Sequence, residues 1–199
     1  MEKLTRTAQK LDKVIKFLFV LTVIIGFIVL ISMIAWLVIF CSEVPLEMTS
    51  SLTLGSVQFQ LTEAYLPTRT TTFVYYLLSF LVGLLAFALT AVRLKLIRNI
   101  LKPMKEAAPF HNAVSANLKK LGWVEIVSGI FVNICNMIQT AILAKSYDLQ
   151  AIFIGDSISR ITLETKIDLA FVLIACVLFL ASYIFRYGEE LQMLSDETL

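Results

Sequence analysis

Hydrophobic residues in this chain are gathered into four long runs that polar segments separate. Residues 17–40, 73–92 and 169–185 contain no charged side chain, and residues 121–144 contain only Glu125. A helix needs about 20 predominantly apolar residues to cross the hydrocarbon core of a bilayer. Because every backbone polar group there must be satisfied within the segment, each run is predicted to be a transmembrane helix.

The four predicted spans cover about residues 14–41, 72–102, 113–145 and 167–194 of a single integral membrane domain. Composition agrees with this interpretation, since 58% of the residues are hydrophobic and the mean hydropathy is +0.84. Both values lie outside the range of soluble proteins. We therefore predict an all-α membrane protein, a bundle of four transmembrane helices in contact with the lipid bilayer.

Lysine and arginine are distributed unevenly among the segments between the runs. Five lie in residues 1–16 and seven in residues 93–120, against one in residues 41–72 and three in residues 145–167. Basic residues are retained on the cytoplasmic side of a membrane. Both termini and the middle loop are therefore predicted to be cytoplasmic, and the other two loops are predicted to lie outside.

The first outer loop has an alternating pattern that is typical of a β-hairpin. A two-residue turn at residues 55–56 pairs Leu52 with Phe59 and leaves polar side chains on the other face. Residues 161–167 of the second outer loop alternate in the same way, which predicts a short strand. Because an isolated hairpin is only marginally stable, the two loops are predicted to join into one small β-sheet that caps the bundle.

The cytoplasmic segments carry helical patterns of their own. In residues 4–15, apolar side chains recur at helical spacing between basic residues, which predicts either an amphipathic helix on the membrane surface or a solvated basic anchor with no further role. In the middle loop, Val114, Leu118 and Leu121 share one face of a helix that continues into the third span. The sole histidine, His111, is predicted at the start of that helix.

One face of the third predicted span is polar. At about 100° per residue, its polar side chains lie within an arc of roughly 140°. These side chains are Glu125, Ser128, Asn133, Asn136, Gln139 and Thr140. They would serve as hydrogen-bonding contacts between helices, as the lining of an ion or ligand site, or as the surface for a regulatory partner. Glu125 lies about one helical turn (~5 Å) inside the cytoplasmic boundary, where Arg93 is its first candidate ion-pair partner.

The sequence contains few residues in arrangements suited to catalysis. It contains one histidine and three cysteines, with no Cys/His spacing suited to a metal. It has no Gly-rich phosphate loop, and no histidine within the apolar runs to activate a serine. We therefore predict that the protein is not an enzyme, holds no cofactor or metal, and does not bind nucleic acid directly.

The C-terminal segment is acidic and lies on the same predicted side as the basic middle loop. Docking of the tail on the loop is one hypothesis, and a solvated helix end is the other. If this chain binds a cytoplasmic partner, both segments contribute to the binding surface. The candidate residues are Lys102, Lys105, Lys119, Lys120, Arg186, Glu189, Glu190, Gln192 and Asp196.

Two stretches carry a resemblance to a known family. The sequence "APFHNAVSANLKKLGW" in the middle loop and the ending "FRYGEELQMLSDETL" resemble a bacterial membrane family of unknown function, the YoaS-like family (domain of unknown function 2975). The matching positions are Pro109, Phe110, Val114, Phe185, Arg186, Gly188, Leu191, Gln192, Asp196, Thr198 and Leu199. The resemblance implies a four-helix protein of the bacterial inner membrane. Since family members are often encoded beside a small helix-turn-helix regulator, it also implies such a regulator as partner.

Three functions remain open at this stage. The first is a regulatory or sensor protein that binds a cytoplasmic partner through its basic loop and acidic tail. The second is a small transporter, channel or immunity-type protein with a polar intramembrane site around Glu125. Four helices per subunit would then require a homo-oligomer to form a pore. The third is a purely structural subunit of a larger complex.

Overall fold

Four long helices make up most of the structure. The computed structural model describes residues 2–42, 51–54, 57–60, 68–106, 108, 110–146 and 167–197. Its helices are α1 (Glu2–Cys41), α2 (Arg69–Lys105), α3 (Asn112–Ser146) and α4 (Ala170–Glu197). Each contains a segment that is long and apolar enough to cross a membrane. The chain is therefore a helical, multi-pass membrane protein, as the apolar runs predict.

The first helix is continuous from its basic start to the end of its apolar run. Its 40 residues extend about 60 Å at about 1.5 Å per residue. Ala8 is buried near its start, and Asp12 one turn later contacts α2. The prediction that residues 4–15 form a separate helix on the membrane surface is wrong. These residues extend the spanning helix and pack against its neighbour.

Two short strands lie between α1 and α2. Strand β1 (Ser51–Leu54) pairs antiparallel with β2 (Val57–Gln60), with Leu52 opposite Phe59 and Leu54 opposite Val57. This is the pairing of a two-residue loop at residues 55–56. The predicted partner strand at residues 161–167 falls, apart from its last residue, outside the described residues, and so does the sheet that both loops would share.

Contacts along the chain define two compact units. The first comprises Met1–Ile28, Leu84–Asn133 and Ile167–Leu199, and the second comprises Val29–Gly83 and Ile134–Lys166. The core of the first unit is formed by Ile100, Val114, Leu118 and Leu121, flanked by Leu96, Ile97, Met104, Leu178, Ala181 and Phe185. The predicted apolar face at the start of α3 is confirmed by this core.

Helices α3 and α4 pack closely where α3 has glycine. A Cβ atom added at Gly122 would lie 2.7 Å from the ring of Phe179, and one at Gly129 would overlap the ring of Phe171. Further along, Ser182 donates to the Ser115 carbonyl at 2.8 Å. These contacts set α4 antiparallel to α3.

Aromatic rings hold the second unit together. The Trp36 ring stacks on Phe40 and Phe73, with centroid distances of 5.4 and 5.6 Å, and it also contacts Tyr76 and Phe80. The Phe40 and Phe73 rings lie 4.7 Å apart. Such ring pairs each contribute about 0.5–1.5 kcal/mol beyond the burial of their area. They join the end of α1 to the start of α2.

Candidate functional site

Arg93 and Glu125 form a charged pair within the first unit. Arg93 ends the apolar run of α2, and its Nε lies 2.7 Å from Glu125 Oε1. Its Nη2 donates to Glu125 Oε2 at 3.0 Å and also to Ser128 Oγ. The Nε–Oε1 contact lacks hydrogen-bond alignment, so the buried Nε has no hydrogen-bond acceptor among the described residues. The structure therefore brings together the ion pair that the sequence proposes.

Ser128 completes this cluster. Its side chain is 2% exposed, and its Oγ donates to the Glu125 carbonyl at 3.1 Å while it accepts from Arg93. The side chains of Arg93 and Glu125 are 30% and 16% exposed. A charge pair at this depth is stable only when both partners are present, because each alone would be an uncompensated charge. We refer to Arg93, Glu125 and Ser128 as the ion-pair cluster.

Asn133, at the middle of the apolar run of α3, binds the start of α4. Its Nδ2 donates to the carbonyls of Gly129 and Asp168, both at 2.9 Å, and its Oδ1 accepts from the Asp168 N–H at 2.9 Å. Asp168 Oδ1 in turn accepts from the Ala170 N–H at 2.8 Å, which caps α4. Asn133 thus acts as an interhelical clamp and orients the N-terminus of α4.

The part of the predicted polar face nearer the end of α3 makes fewer hydrogen bonds to other helices. In the second unit, Gln139 Nε2 lies 3.5 Å from Ser79 Oγ, and Thr140 donates to the Asn136 carbonyl at 2.8 Å. The Asn136 side chain is exposed. Three of the six predicted polar side chains (Glu125, Ser128 and Asn133) thus belong to the first unit, and the other three belong to the second.

Asp12 contributes an ionic contact that the sequence interpretation missed. Its carboxylate lies 3.3 Å from Arg98 Nε and 2.8 Å from Lys105 Nζ. Lys105 is thus paired within the chain, whereas Lys102, Lys119 and Lys120 remain exposed. The sequence contains a feature that could have indicated this contact, because Asp12 is the only acidic residue among the five basic residues of positions 3–16.

The C-terminal part of α4 docks on the middle loop through a ring and a glycine. A Cβ atom at Gly188 would lie 2.5 Å from the ring of Phe110, and the Phe110 and Phe185 rings are 6.0 Å apart. Arg186 pairs with Glu190 on its own helix at 3.3 Å. These contacts between α4 and the middle loop are apolar, and docking of the acidic tail on the basic residues of the loop stays a prediction.

An open cleft of about 260 Å³ lies beside this contact. Its lining residues are Ala108, Phe110, His111, Asn112, Glu189, Gln192 and Met193. His111 precedes the first residue of α3, as predicted, and its Nδ1 accepts from the Ala113 N–H at 3.1 Å. This bond makes the histidine the N-cap of α3. Because Nδ1 accepts this bond, Nε2 is the ring nitrogen that remains to hydrogen-bond a ligand.

The fold and these contacts define a helical integral membrane protein with a cleft beside the start of α3 and an ion-pair cluster between α2 and α3. Among the described residues, no group of three or more His, Cys, Asp and Glu side chains is placed to hold a metal ion. The sequence matches no protein-family model, no curated protein and no solved structure. Its function must therefore be argued from the site.

Proposed function

We propose that this chain is a non-enzymatic regulatory protein of the bacterial inner membrane, with both termini in the cytoplasm, that binds a cytoplasmic partner at the cleft between the middle loop and α4. The observation that carries the proposal is the packing of Phe110 on Gly188. This contact joins two segments that are distant in sequence into one surface. The resemblance of those same two segments to the YoaS-like family supports a helix-turn-helix regulator as the partner.

The cleft has the chemistry of a peptide-binding surface. Phe110 and Met193 supply exposed apolar area, and Glu189, Gln192 and His111 supply polar groups around it. Aromatic residues and methionine are enriched where proteins bind one another, because methionine adapts its shape to different ligands. We expect an apolar side chain of the partner to enter the cleft, with a basic side chain nearby on Glu189.

The outer side is the proposed sensing side. A sheet cap that the hairpin at residues 51–60 and the second outer loop build together would receive the signal. Helix α4 runs without interruption from the Asn133 clamp to the cleft. A shift of its outer end would therefore alter the cleft directly, because a packed helix moves as a rigid element.

A transport path around Glu125 is the alternative function. Such a path needs polar groups that can exchange partners with a passing ion. Glu125 and Ser128 are engaged by Arg93, and Asn133 is engaged by Asp168. These contacts favour a role in packing over a role in conduction.

Partner capture from native membranes in mild detergent tests the proposal. We expect the intact chain to retain a DNA-binding protein, identified by mass spectrometry, and both Glu189→Lys and deletion of residues 189–199 to lose it. Glu197→Lys is the matched control, because it reverses the same charge on an exposed position of the same helix outside the cleft. Recovery of the partner by Glu189→Lys and by the deletion at the level of the intact chain would reject the cleft as the binding surface.

A further inference from the structure

The exposed face of α3 changes character near the start of its apolar run. Lys119 and Lys120 are exposed, Trp123 is 55% exposed, and Val127 and Ile130 follow at helical spacing with similar exposure. The change from charge through an aromatic ring to aliphatic side chains takes about three helical turns, or ~16 Å. Tryptophan is enriched where hydrocarbon meets the lipid headgroups. Trp123 therefore marks the level of the bilayer surface on the side of the middle loop.

Helix α4 adds two aromatic side chains at this level. The Phe179 ring contacts the Trp123 ring edge-on at a centroid distance of 5.7 Å, and it also covers Gly122. Tyr183 lies four residues further along α4 and is 70% exposed. Residues four apart share one face of a helix. Tyr183 therefore lies on the same side of α4 as Phe179, one turn nearer the middle loop.

Lys119 occupies the corresponding place on α3. It precedes Trp123 by four residues, so it lies on the same side of α3 and also one turn nearer the middle loop. Because the two helices are antiparallel and Trp123 contacts Phe179, Lys119 and Tyr183 are placed side by side. We call Lys119, Trp123, Phe179 and Tyr183 the α3–α4 groove.

The polar groups of the α3–α4 groove are not engaged within the described part of the chain. Neither the Lys119 ammonium group nor the Tyr183 hydroxyl has a hydrogen bond or an ion pair with another described residue. The only carboxylate of α3, Glu125, is held by Arg93 of α2. The groove therefore presents a positive charge and a hydroxyl donor beside two aromatic rings, at the level of the bilayer surface.

We propose that the α3–α4 groove binds the headgroup of an anionic phospholipid in the leaflet on the side of the middle loop. Lys119 pairs with the phosphate, which an ammonium group binds as a point charge, and the Tyr183 hydroxyl donates to a second phosphate oxygen. The Trp123 and Phe179 rings lie one turn deeper, where the acyl chains begin. A zwitterionic lipid is disfavoured because the groove has no carboxylate for its ammonium group, and exposed Lys120 adds a second positive charge nearby.

Lys102 of α2 has the same charge at a similar depth and lies outside the groove. It follows Arg93 by nine residues, and Lys119 precedes Glu125 by six residues. The Arg93–Glu125 pair therefore places the two lysines within about one helical turn (~5 Å) of the same level. Lys102 is exposed, and residues 88–105 of α2 contain no aromatic side chain. Lys102 is thus a matched control for Lys119.

Quenching of Trp123 fluorescence by brominated lipids tests the proposal. The chain has two tryptophans, so Trp36→Phe leaves Trp123 as the only one. The full chain is placed in vesicles of phosphatidylcholine and phosphatidylglycerol, in which one lipid or the other has brominated acyl chains. We expect phosphatidylglycerol to be preferred beside Trp123 by about fivefold, and Lys119→Gln to remove most of this preference. Lys102→Gln should leave the preference unchanged.

Equal quenching by the two lipids before the lysine is changed, or stronger quenching by phosphatidylcholine, would overturn the proposal. Equal losses for Lys119→Gln and Lys102→Gln would do the same, because the attraction would then belong to the basic segments as a whole. Mass spectrometry of the full chain with both tryptophans, released from mixed micelles, gives a measurement that does not depend on Trp36→Phe. We expect retained phosphatidylglycerol with the intact chain and with Lys102→Gln, and its loss with Lys119→Gln. Displacement by inorganic phosphate, but not by chloride at the same ionic strength, would contradict a lipid as the ligand.

Discussion

Two arginines of α2, one at the start of the helix and one at the end of its apolar run, make different contacts. In the first unit, Arg93 faces the Glu125 carboxylate at 2.7 and 3.0 Å and also donates to Ser128. In the second unit, Arg69 donates to the Phe40 carbonyl and lies 4.7 Å over the Phe40 ring. The first arginine is paired with a carboxylate of opposite charge. The second has a carbonyl dipole and an aromatic ring as its partners. The position of each arginine within the helix, and not its residue type, is therefore expected to set how much its contacts contribute to the free energy of unfolding.

Glycine shows the same contrast between the units. Gly122 and Gly129 in the first unit lie directly under phenylalanine rings, whereas a Cβ atom at Gly83 in the second unit would meet nothing within 4 Å. The first unit is packed by close backbone approach and ionic contact. The second unit is packed by rings that surround Trp36. Substitutions should therefore cost more in the first unit.

The largest effect is expected from breaking the ion-pair cluster. Glu125→Gln should lower the free energy of unfolding by about 3 kcal/mol, because it leaves Arg93 as an uncompensated charge. This lies at the lower end of the usual range because the Arg93 side chain is 30% exposed. Denaturant unfolding in detergent micelles measures the change.

The double variant Arg93→Gln, Glu125→Gln separates pairing from other roles of these residues. If Glu125 acts only through Arg93, the double variant should recover much of the lost stability, since contacting residues are not additive. Retained partner binding in that variant would support packing as the role of the cluster. A double loss equal to the sum of the single losses would contradict the ion pair as the source of the effect.

A smaller effect is expected from Gly129→Ala. The added methyl group would overlap the Phe171 ring, and overpacking of this kind costs about 1–3 kcal/mol. Gly83→Ala is the matched control, because it adds the same group in open space and should stabilise its helix by about 0.5–1 kcal/mol. Thermal unfolding of both variants gives the comparison. Partial rescue of Gly129→Ala by Phe171→Leu would assign the cost to that ring.

Local sequence patterns were sufficient for the elements and for the contacts that depend on a single helix face. The apolar runs predict all four helices, and the spacing of Val114, Leu118 and Leu121 predicts the core of the first unit. The placement of Arg93 opposite Glu125 follows because both lie near the ends of their runs that adjoin the middle loop. Each of these inferences needs only helix periodicity and the depth of a residue in the membrane.

Contacts that depend on the relative level of two helices could not be predicted in this way. The packing of Phe110 on Gly188 requires α4 to begin level with Asn133, and no periodicity encodes that level. Asn136 is exposed, although a helical wheel assigns it to the same face as Glu125. A polar face on one helix therefore indicates which side is inward only where a neighbour extends far enough to cover it.

The smallest effect is expected from Arg69→Gln. The shorter glutamine side chain loses the interaction of the cation with the ring, which is about 0.5–1 kcal/mol at exposed sites, and at this exposed site water can take over the hydrogen bond to the Phe40 carbonyl. Arg69 is also the first residue of α2, where a positive charge opposes the helix dipole, and its removal offsets part of that loss. We expect a net change below about 1 kcal/mol in the free energy of unfolding, against a several-fold larger loss for Arg93→Gln measured in parallel under the same conditions. Equal losses for the two arginines would show that depth in the fold does not set their importance, and the contrast between the units would then have to rest on packing alone.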